Sequence, residues 1–240
     1  MLKQNLPNSI TLANLLCGCL GLQQLFTGNP DLAPWFIVAA GVLDFFDGMA
    51  ARALGVNSPI GKDLDSLADV VSFGVLPTFL AFYLVRTSEG AAYPASLDME
   101  HLFPSSLVLI MALISALRLA RFNHDARQSN SFIGMPTPAN GFLWAGIFYG
   151  IRQEHFPLPT AWIIVAGAIL SSYLLVSEIP MFSFKLGKAP IKKMIPQLVF
   201  IVAAIPLLIW LKIAAFAVLI ASYVAFSTIM MLFPAKAEAN

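Results

Sequence analysis

The chain has 240 residues, of which 58% are hydrophobic and 11% charged, with a net charge of +1. Soluble domains carry roughly 25% charged residues, so a water-exposed globule of this composition is excluded and the excess apolar surface must face lipid. The near-zero charge argues against a polyelectrolyte partner such as nucleic acid, and no repeat at a solenoid period is present.

A membrane-spanning helix needs about 20 mostly apolar residues. That window predicts eight helices, near 10–27, 34–52, 63–86, 105–122, 139–152, 160–177, 195–210 and 213–233. The fold class is therefore an all-α integral membrane protein of about eight transmembrane helices, read as a single membrane domain over 1–240. The segment before the first helix does not read as a cleaved signal peptide. Lys3 is its only charge, Pro7 and Asn8 follow, and no small-x-small site ends the apolar run. Within that run Cys17 and Cys19 point roughly 200° apart on a helix, too divergent to pair with each other. Pro77 lies inside the third predicted helix and is expected to kink it. The fifth helix is short and carries Gly141, Gly146 and Gly150, and only Leu211 and Lys212 divide the last two.

Basic residues orient the bundle. With the N-terminus on the cytoplasmic side, eleven of the fourteen Lys and Arg residues fall inside, and only Arg86, Arg152 and Lys212 fall outside. The expected topology is N-in, C-in.

The chemistry concentrates in residues 44–69, DFFDGMAARALGVNSPIGKDLDSLAD. Asp44 and Asp47 are three apart and Asp65 and Asp69 four apart, so each pair shares a helix face. The two pairs stand at the facing ends of the second and third helices, joined by a short loop with Pro59. Four carboxylates thus converge on one volume. An aspartate at the bilayer centre costs about 2.5–3.5 kcal/mol, and like charges held close add to that. Such a group needs cations, a water-filled cavity, or both. Oxygen ligands suit Mg²⁺, Mn²⁺ or Ca²⁺, and the absence of Cys and His from the segment argues against zinc. Gly48 and Gly61 leave room for a ligand or a neighbouring helix. Arg52 can present its bidentate fork to a phosphate or act as an interfacial, snorkelling arginine. Ser58 offers a hydroxyl in the loop.

The spacing D-x₂-D-G-x₂-A-R-x₈-G-x₃-D-x₃-D is matched without departure by Asp44, Asp47, Gly48, Ala51, Arg52, Gly61, Asp65 and Asp69. It resembles the signature of the CDP-alcohol phosphotransferase family, whose metal-dependent members release CMP while moving a phosphate-linked alcohol onto an acceptor hydroxyl. The resemblance implies a six-helix core at about 7–180 and, beyond it, a C-terminal helical hairpin at about 195–233. It implies that Asp44, Asp47, Asp65 and Asp69 hold divalent metal, Mg²⁺ or Mn²⁺, as two ions. Asp69 would double as general base. Gly48, Arg52, Ser58 and Gly61 would contact the CDP moiety, with Asn8 and Thr11 adding cytidine or ribose contacts, although Thr11 reads equally as a helix N-cap. Asp63 lies outside the pattern and reads as a solvated helix-start residue.

The stretches PNSITLANLLCG at 7–18, ALRLARFN at 116–123 and FIGMPTPANG at 132–141 resemble the phosphatidylserine synthase branch of that family. That branch implies CDP-diacylglycerol as donor, L-serine as acceptor, membrane lipid as surroundings, a homodimer, and an active site facing the cytoplasm from the inner membrane. Arg118, Arg121 and Asn123, at the inner end of the fourth helix, are candidate acceptor contacts or positive-inside anchors. The Gly134–Pro138 segment, with Pro136 at its centre, is expected to close the acceptor pocket. The alternatives are a sibling enzyme that uses glycerol 3-phosphate or inositol phosphate and, from another class, a cation-coupled transporter. A transporter would be expected to show inverted repeats or helices broken near the midplane; here the carboxylates cluster at one membrane side, in one hairpin.

Overall fold

The structure is a computed structural model that describes residues 2–56, 58–90, 103–124, 132–181 and 202–232. Nearly all of it is helical. In chain order the elements are α1 (Leu2–Phe26), α2 (Ala33–Ala53), α3 (Pro59–Asp69), α4 (Leu76–Ser88), α5 (Ile110–His124), α6 (Thr137–Arg152), α7 (Ala161–Val176), α8 (202–211) and α9 (Ala215–Leu232). Five helical runs are long and apolar enough to cross a membrane: Asn5–Phe26, Pro30–Ala53, Pro59–Ser88, Ser105–His124 and Val202–Ile229. The apolar α7 is shorter.

The run Pro59–Ser88 is the buried centre of the bundle. Leu76, Leu80, Ala81, Leu84 and Val85 of α4 are buried against Ile37 and Ala40 of α2, Val108 and Met111 from the α5 run, and Trp144 and Phe148 of α6. In contrast, α7 and α8 show large apolar side chains outward, among them Trp162, Ile163, Ile209 and Trp210. In water such a surface would drive association; in a bilayer it is the solvent-facing side.

Two helix starts and one helix interior differ from the sequence expectation, each for a local reason. The first helix begins at Leu2 rather than near residue 10, and Pro7 lies inside it. A proline this close to a helix start removes only an early backbone bond. Thr11 is therefore an interior helical residue and not an N-cap. The third helix begins at Pro59 rather than 63, because Ser58 caps it: its Oγ accepts the Gly61 N–H at 3.0 Å, and Pro59 occupies the first helical position. Asp63 thus lies inside α3, with its side chain exposed. The expected kink at Pro77 is a π-helical turn over Val70–Val75, just before the proline, in which the Leu76 N–H reaches back to the Val71 carbonyl. The proline ring displaces the carbonyl four residues earlier, and the extra residue in the wide turn absorbs the misfit.

Two further features shape the bundle. A two-residue antiparallel ladder joins Phe132–Ile133 to Pro180–Met181, so the entry to α6 is tied to the exit of α7. Gly134 there has φ +73°, and an added Cβ would lie 2.8 Å from the Ser177 carbonyl oxygen and 2.9 Å from that of Leu175. At the other end of α6, Arg152 donates to Asp31 through Nε (2.6 Å) and Nη2 (2.9 Å), closing α6 onto the α1–α2 connection. The last helical run is interrupted at Lys212, whose φ is +52°, at the point where the sequence divides α8 from α9. The N-terminal part of the seventh predicted helix, from 195, lies outside the described residues.

Candidate active site

The four aspartates of the α2–α3 hairpin come together. Oxygens of Asp44, Asp47 and Asp65 lie within 4.8 Å of one another. Asp44 and Asp65 stand close enough for their carboxyl groups to hydrogen-bond across the two helices. Asp69, one turn further along α3, lies in the electrostatic field of the other three. Both Asp47 and Asp69 are buried, each at 6% exposure.

The second aspartate of each pair is held from α1. The Thr11 hydroxyl lies 2.7 Å from Asp47 Oδ2, to which it donates. The Asn14 Nδ2 donates to Asp69 Oδ1 at 3.2 Å. Thr11 and Asn14 are three residues apart and so share one face of α1. That face is seated by Ser72 of the π-helical turn, whose Oγ donates to the Asn14 carbonyl at 2.9 Å. Gly18 permits the approach, since a Cβ there would stand 2.7 Å from Ser72 Oγ. The wide turn that follows Asp69 thus docks α3 on α1 and fixes where that carboxyl points.

Beside the carboxylates is a cavity of about 240 Å³ lined by Asn8, Thr11, Asp47, Gly48, Ser58, Gly61, Lys62 and Asp65 together with Pro7, Ala51 and Val56. Five of the six residues singled out as CDP contacts line it. The sixth, exposed Arg52, folds its guanidinium back over Gly48, with Nη1 3.4 Å from where a Gly48 Cβ would be. Gly61 brings α3 against α1: a Cβ there would meet Ser58 Oγ at 3.0 Å and Asn8 Oδ1 at 3.3 Å. The motif glycines therefore leave space for an arginine head group and for a helix contact beside the cavity.

The acceptor candidates divide. Arg118 is 7% exposed, with Asp69 as a charged neighbour. Its Nη1 donates to Thr137 Oγ1 at 3.3 Å, and its guanidinium lies 5.1 Å from the Phe122 ring centroid. Arg121, three residues on, is exposed, so the two arginines do not share an environment. Asn123 packs on α3: its Nδ2 donates to Ser66 Oγ at 2.8 Å, and its carbonyl accepts from Lys62 Nζ at 2.7 Å. Pro136 is half-buried in extended conformation immediately before Thr137, at the start of α6. Met135 donates to the Leu174 carbonyl of α7, and Gly134 to the Ile179 carbonyl just beyond that helix.

Sequence reasoning passed over Asn14, Ser72, Lys62 and Thr137. Asn14 carried a signal, as a polar residue inside an apolar helix one turn from Thr11. Lys62 stands within the motif segment but outside the fixed spacing.

The oxygen-only donor set fits a hard divalent cation. Two carboxyl groups in mutual contact need a shared proton or a cation between them. The Asn14 Oδ1, beside Asp69, is buried with no hydrogen-bond partner among the described residues, which leaves one more oxygen donor near the cluster.

The family model described as CDP-alcohol phosphatidyltransferase matches residues 4–174. The chain belongs to that family. It is a membrane enzyme of phosphatidyl transfer, and the match covers α1 to α7 while leaving α8 and α9 outside. The chain is 34% identical over 180 residues to a Bacillus subtilis protein named CDP-diacylglycerol–serine O-phosphatidyltransferase, covering 75% of this chain and 91% of that one. Proteins of the same name are similar to it in Helicobacter pylori, with 31% identity over 198 residues (81% of this chain, 79% of the relative), and in Saccharomyces cerevisiae, with 33% over 144 residues (55% and 48%).

Proposed function

We propose that the protein transfers the phosphatidyl group of CDP-diacylglycerol to the hydroxyl of L-serine, releasing CMP, and so works in phospholipid biosynthesis. The observation that carries this reading is the meeting of Asp44, Asp47 and Asp65 within 4.8 Å at the wall of a cavity whose other lining residues include Asn8, Gly48, Ser58 and Gly61. Serine as acceptor is supported by the name that the relatives share.

Asn8, Thr11, Ser58 and the Gly61 turn bind the nucleotide end of the donor in this reading, with Arg52 paired to its pyrophosphate. Asp44, Asp47, Asp65 and Asp69 would hold two ions of Mg²⁺ or Mn²⁺, which when bound neutralise the pyrophosphate and the departing CMP. Arg118, anchored by Thr137, faces the acceptor carboxylate. Asp69 accepts the serine hydroxyl proton, and Asn14 holds its carboxyl in position. The serine oxygen forms a new bond to the phosphatidyl phosphorus as the bond from that phosphorus to the CMP oxygen breaks. CMP leaves with the bonding electrons, and no covalent enzyme intermediate forms.

The surroundings follow from the same reading. A core at about 7–180 carries the chemistry, and a hairpin at about 195–233 completes a single domain. The excess of Lys and Arg on one side supports an N-in, C-in chain in the inner membrane, with the aspartates open to the cytoplasm. A homodimer is expected from the family.

The deciding experiment supplies purified protein in mixed micelles with CDP-diacylglycerol, Mn²⁺ or Mg²⁺, and one acceptor at a time. Serine should yield CMP and phosphatidylserine in equal amounts. CMP release that requires glycerol 3-phosphate or inositol phosphate and ignores serine would replace the acceptor.

A further inference from the structure

A cavity of about 420 Å³ lies between α6, α7 and α9, and it shares no lining residue with the aspartate cavity. It arises from the way two helices seat on α6. Gly146 lets α9 approach so closely that a Cβ there would stand 2.5 Å from the Ala217 nitrogen. Elsewhere around α6, Trp144 Nε1 donates to Ser171 Oγ of α7 at 3.2 Å. Leu143 and Ile147 lie between Gly146 and Trp144 around the helix, and they form the floor of the trough left between α9 and α7. Along α7 the wall is Ile163, Gly167, Leu170 and Leu174, one helix face. Ile163 and Leu170 make an open lip, whereas Met135 at the far end is fully buried. From Ile163 to Leu174 the helix rises about 16 Å, close to half of the roughly 30 Å hydrocarbon core of a bilayer. That is the depth one acyl chain fills.

Charge, width and one glycine set the chemistry of an occupant. Among the described residues no ionisable side chain lines the trough. The Ser171 hydroxyl already accepts from Trp144 and donates to the Ala168 carbonyl at 3.1 Å, so a polar group placed there would be left unpaired. Spread over its length, the volume gives a bore of roughly 26 Å², against roughly 80 Å² for a helix 10 Å across. A helix of a second copy is too thick for it, and an extended hydrocarbon chain is not. A glycine inside a helix costs about 0.5–1 kcal/mol relative to alanine, and close packing is the usual reason for one. At Gly167 a Cβ would meet nothing nearer than the Trp144 ring, at 3.7 Å. No described neighbour needs that space, so Gly167 widens the trough for something outside the chain. The end at Pro159 adjoins the α6–α7 connection, where Gln153, His155 and Thr160 are exposed and suit a polar head group.

We propose that the α6–α7–α9 trough seats one acyl chain of a resident bilayer phospholipid that is not a substrate, with its head at the α6–α7 connection and its chain end against Met135. The seat stands apart from the phosphatidyl-transfer reading above. It is built in part by α9, which lies beyond the residues 4–174 that the family model matches. The lipid then acts as a packing element, filling a gap between three helices that the described side chains leave open.

The test uses the full-length protein in nanodiscs of phosphatidylcholine brominated midway along one acyl chain. Trp35, Trp162 and Trp210 are replaced by phenylalanine, which leaves Trp144 as the one tryptophan of four. Trp144 is 2% exposed, so the lipid around the bundle is screened from it. Its fluorescence should nevertheless be quenched, and Gly167→Leu, which fills the trough beside its ring, should abolish that quenching at unchanged Tm. Absence of quenching, or equal quenching in the two proteins, would overturn the assignment. A second measurement uses the unaltered protein and a phosphatidylcholine carrying a photoreactive group on one acyl chain. Illumination should label peptides containing residues 163–174 or 221–225 more strongly than those of the exposed α8, and excess CDP-diacylglycerol should leave that labelling in place. Labelling no stronger than on α8 would mean lipid that merely surrounds the bundle, suppression by CDP-diacylglycerol would mean a substrate site, and a crosslink between two protein chains would mean a second copy. Each of these results rejects the proposed seat.

Discussion

Replacing Asn14 by alanine isolates the contact that orients the proposed base. Asn14 Nδ2 donates to Asp69 Oδ1 at 3.2 Å, and Asn14 is fully buried. Ser72 bonds the Asn14 main-chain carbonyl, so Asn14→Ala keeps the α1–π-turn contact and removes only the amide. A hydrogen bond to a charged group contributes about 1.5–3 kcal/mol. This one is longer than the roughly 2.7–2.9 Å of strong charge-assisted pairs, which places it at the lower end. About 1.5 kcal/mol corresponds to roughly a tenfold loss. That loss should appear in kcat, with KM for CDP-diacylglycerol little changed, because the nucleotide cavity is lined by other α1 residues, Asn8 and Thr11. The assay is CMP release at saturating Mn²⁺, run beside a thermal melt in detergent. Wild-type kcat in folded Asn14→Ala protein would refute the claim that α1 positions Asp69. A KM rise with kcat intact would move Asn14 from orienting the base to binding the donor.

Other outcomes follow from the same geometry. Chelation by EDTA should abolish CMP release, and Mn²⁺ or Mg²⁺ but not Na⁺ should restore it; metal-independent turnover would remove the cation from the mechanism. Asp44→Asn should raise the metal concentration needed for half-maximal activity and lower kcat by roughly a hundredfold or more, within the range found when charge stabilisation of a transition state is removed, as read from a metal titration. Arg118→Ala should raise KM for the acceptor more than KM for CDP-diacylglycerol; equal changes in both would make Arg118 a purely structural tie to Thr137. Gly134→Ala should lower Tm by several degrees without changing the metal requirement, since a Cβ would press on the Ser177 and Leu175 carbonyls at a positive φ.

The acidic hairpin was legible because carboxylates are conspicuous in apolar helices and their three- and four-residue spacings state which face they share. The eight predicted segments fall on the helical runs wherever those residues are described. What remained hidden lies one contact away from the motif. The polar opening Lys3–Asn5 masks the start of α1, which reads as a connection until packing shows it helical. Arg118 and Arg121 look equivalent by spacing, yet one is buried beside Asp69 and the other exposed, because three residues leave them about 60° apart around the helix and only Arg118 reaches Thr137 of α6. Asn123, grouped with those arginines from the sequence, spends its side chain on Ser66. A propensity argument places residues on a helix but does not say which neighbour each will meet.

The relation between α1 and the hairpin also explains why two short helix ends can hold four carboxylates. Asp44 and Asp65 face each other across α2 and α3. Asp47 and Asp69 are drawn the other way, to Thr11 and Asn14. One residue from each pair thus serves the inter-helix contact, and one is held from α1. That division keeps the four groups from collapsing into a single proton-sharing knot and leaves their remaining oxygens for cations. It depends on the π-helical turn, since a regular helix through Val70–Val75 would rotate the chain after Asp69 and carry Ser72 off the Asn14 carbonyl. Pro77, which looks in the sequence like a defect of a spanning helix, is by this reasoning the residue that sets where the Asp69 carboxyl, the proposed base, points.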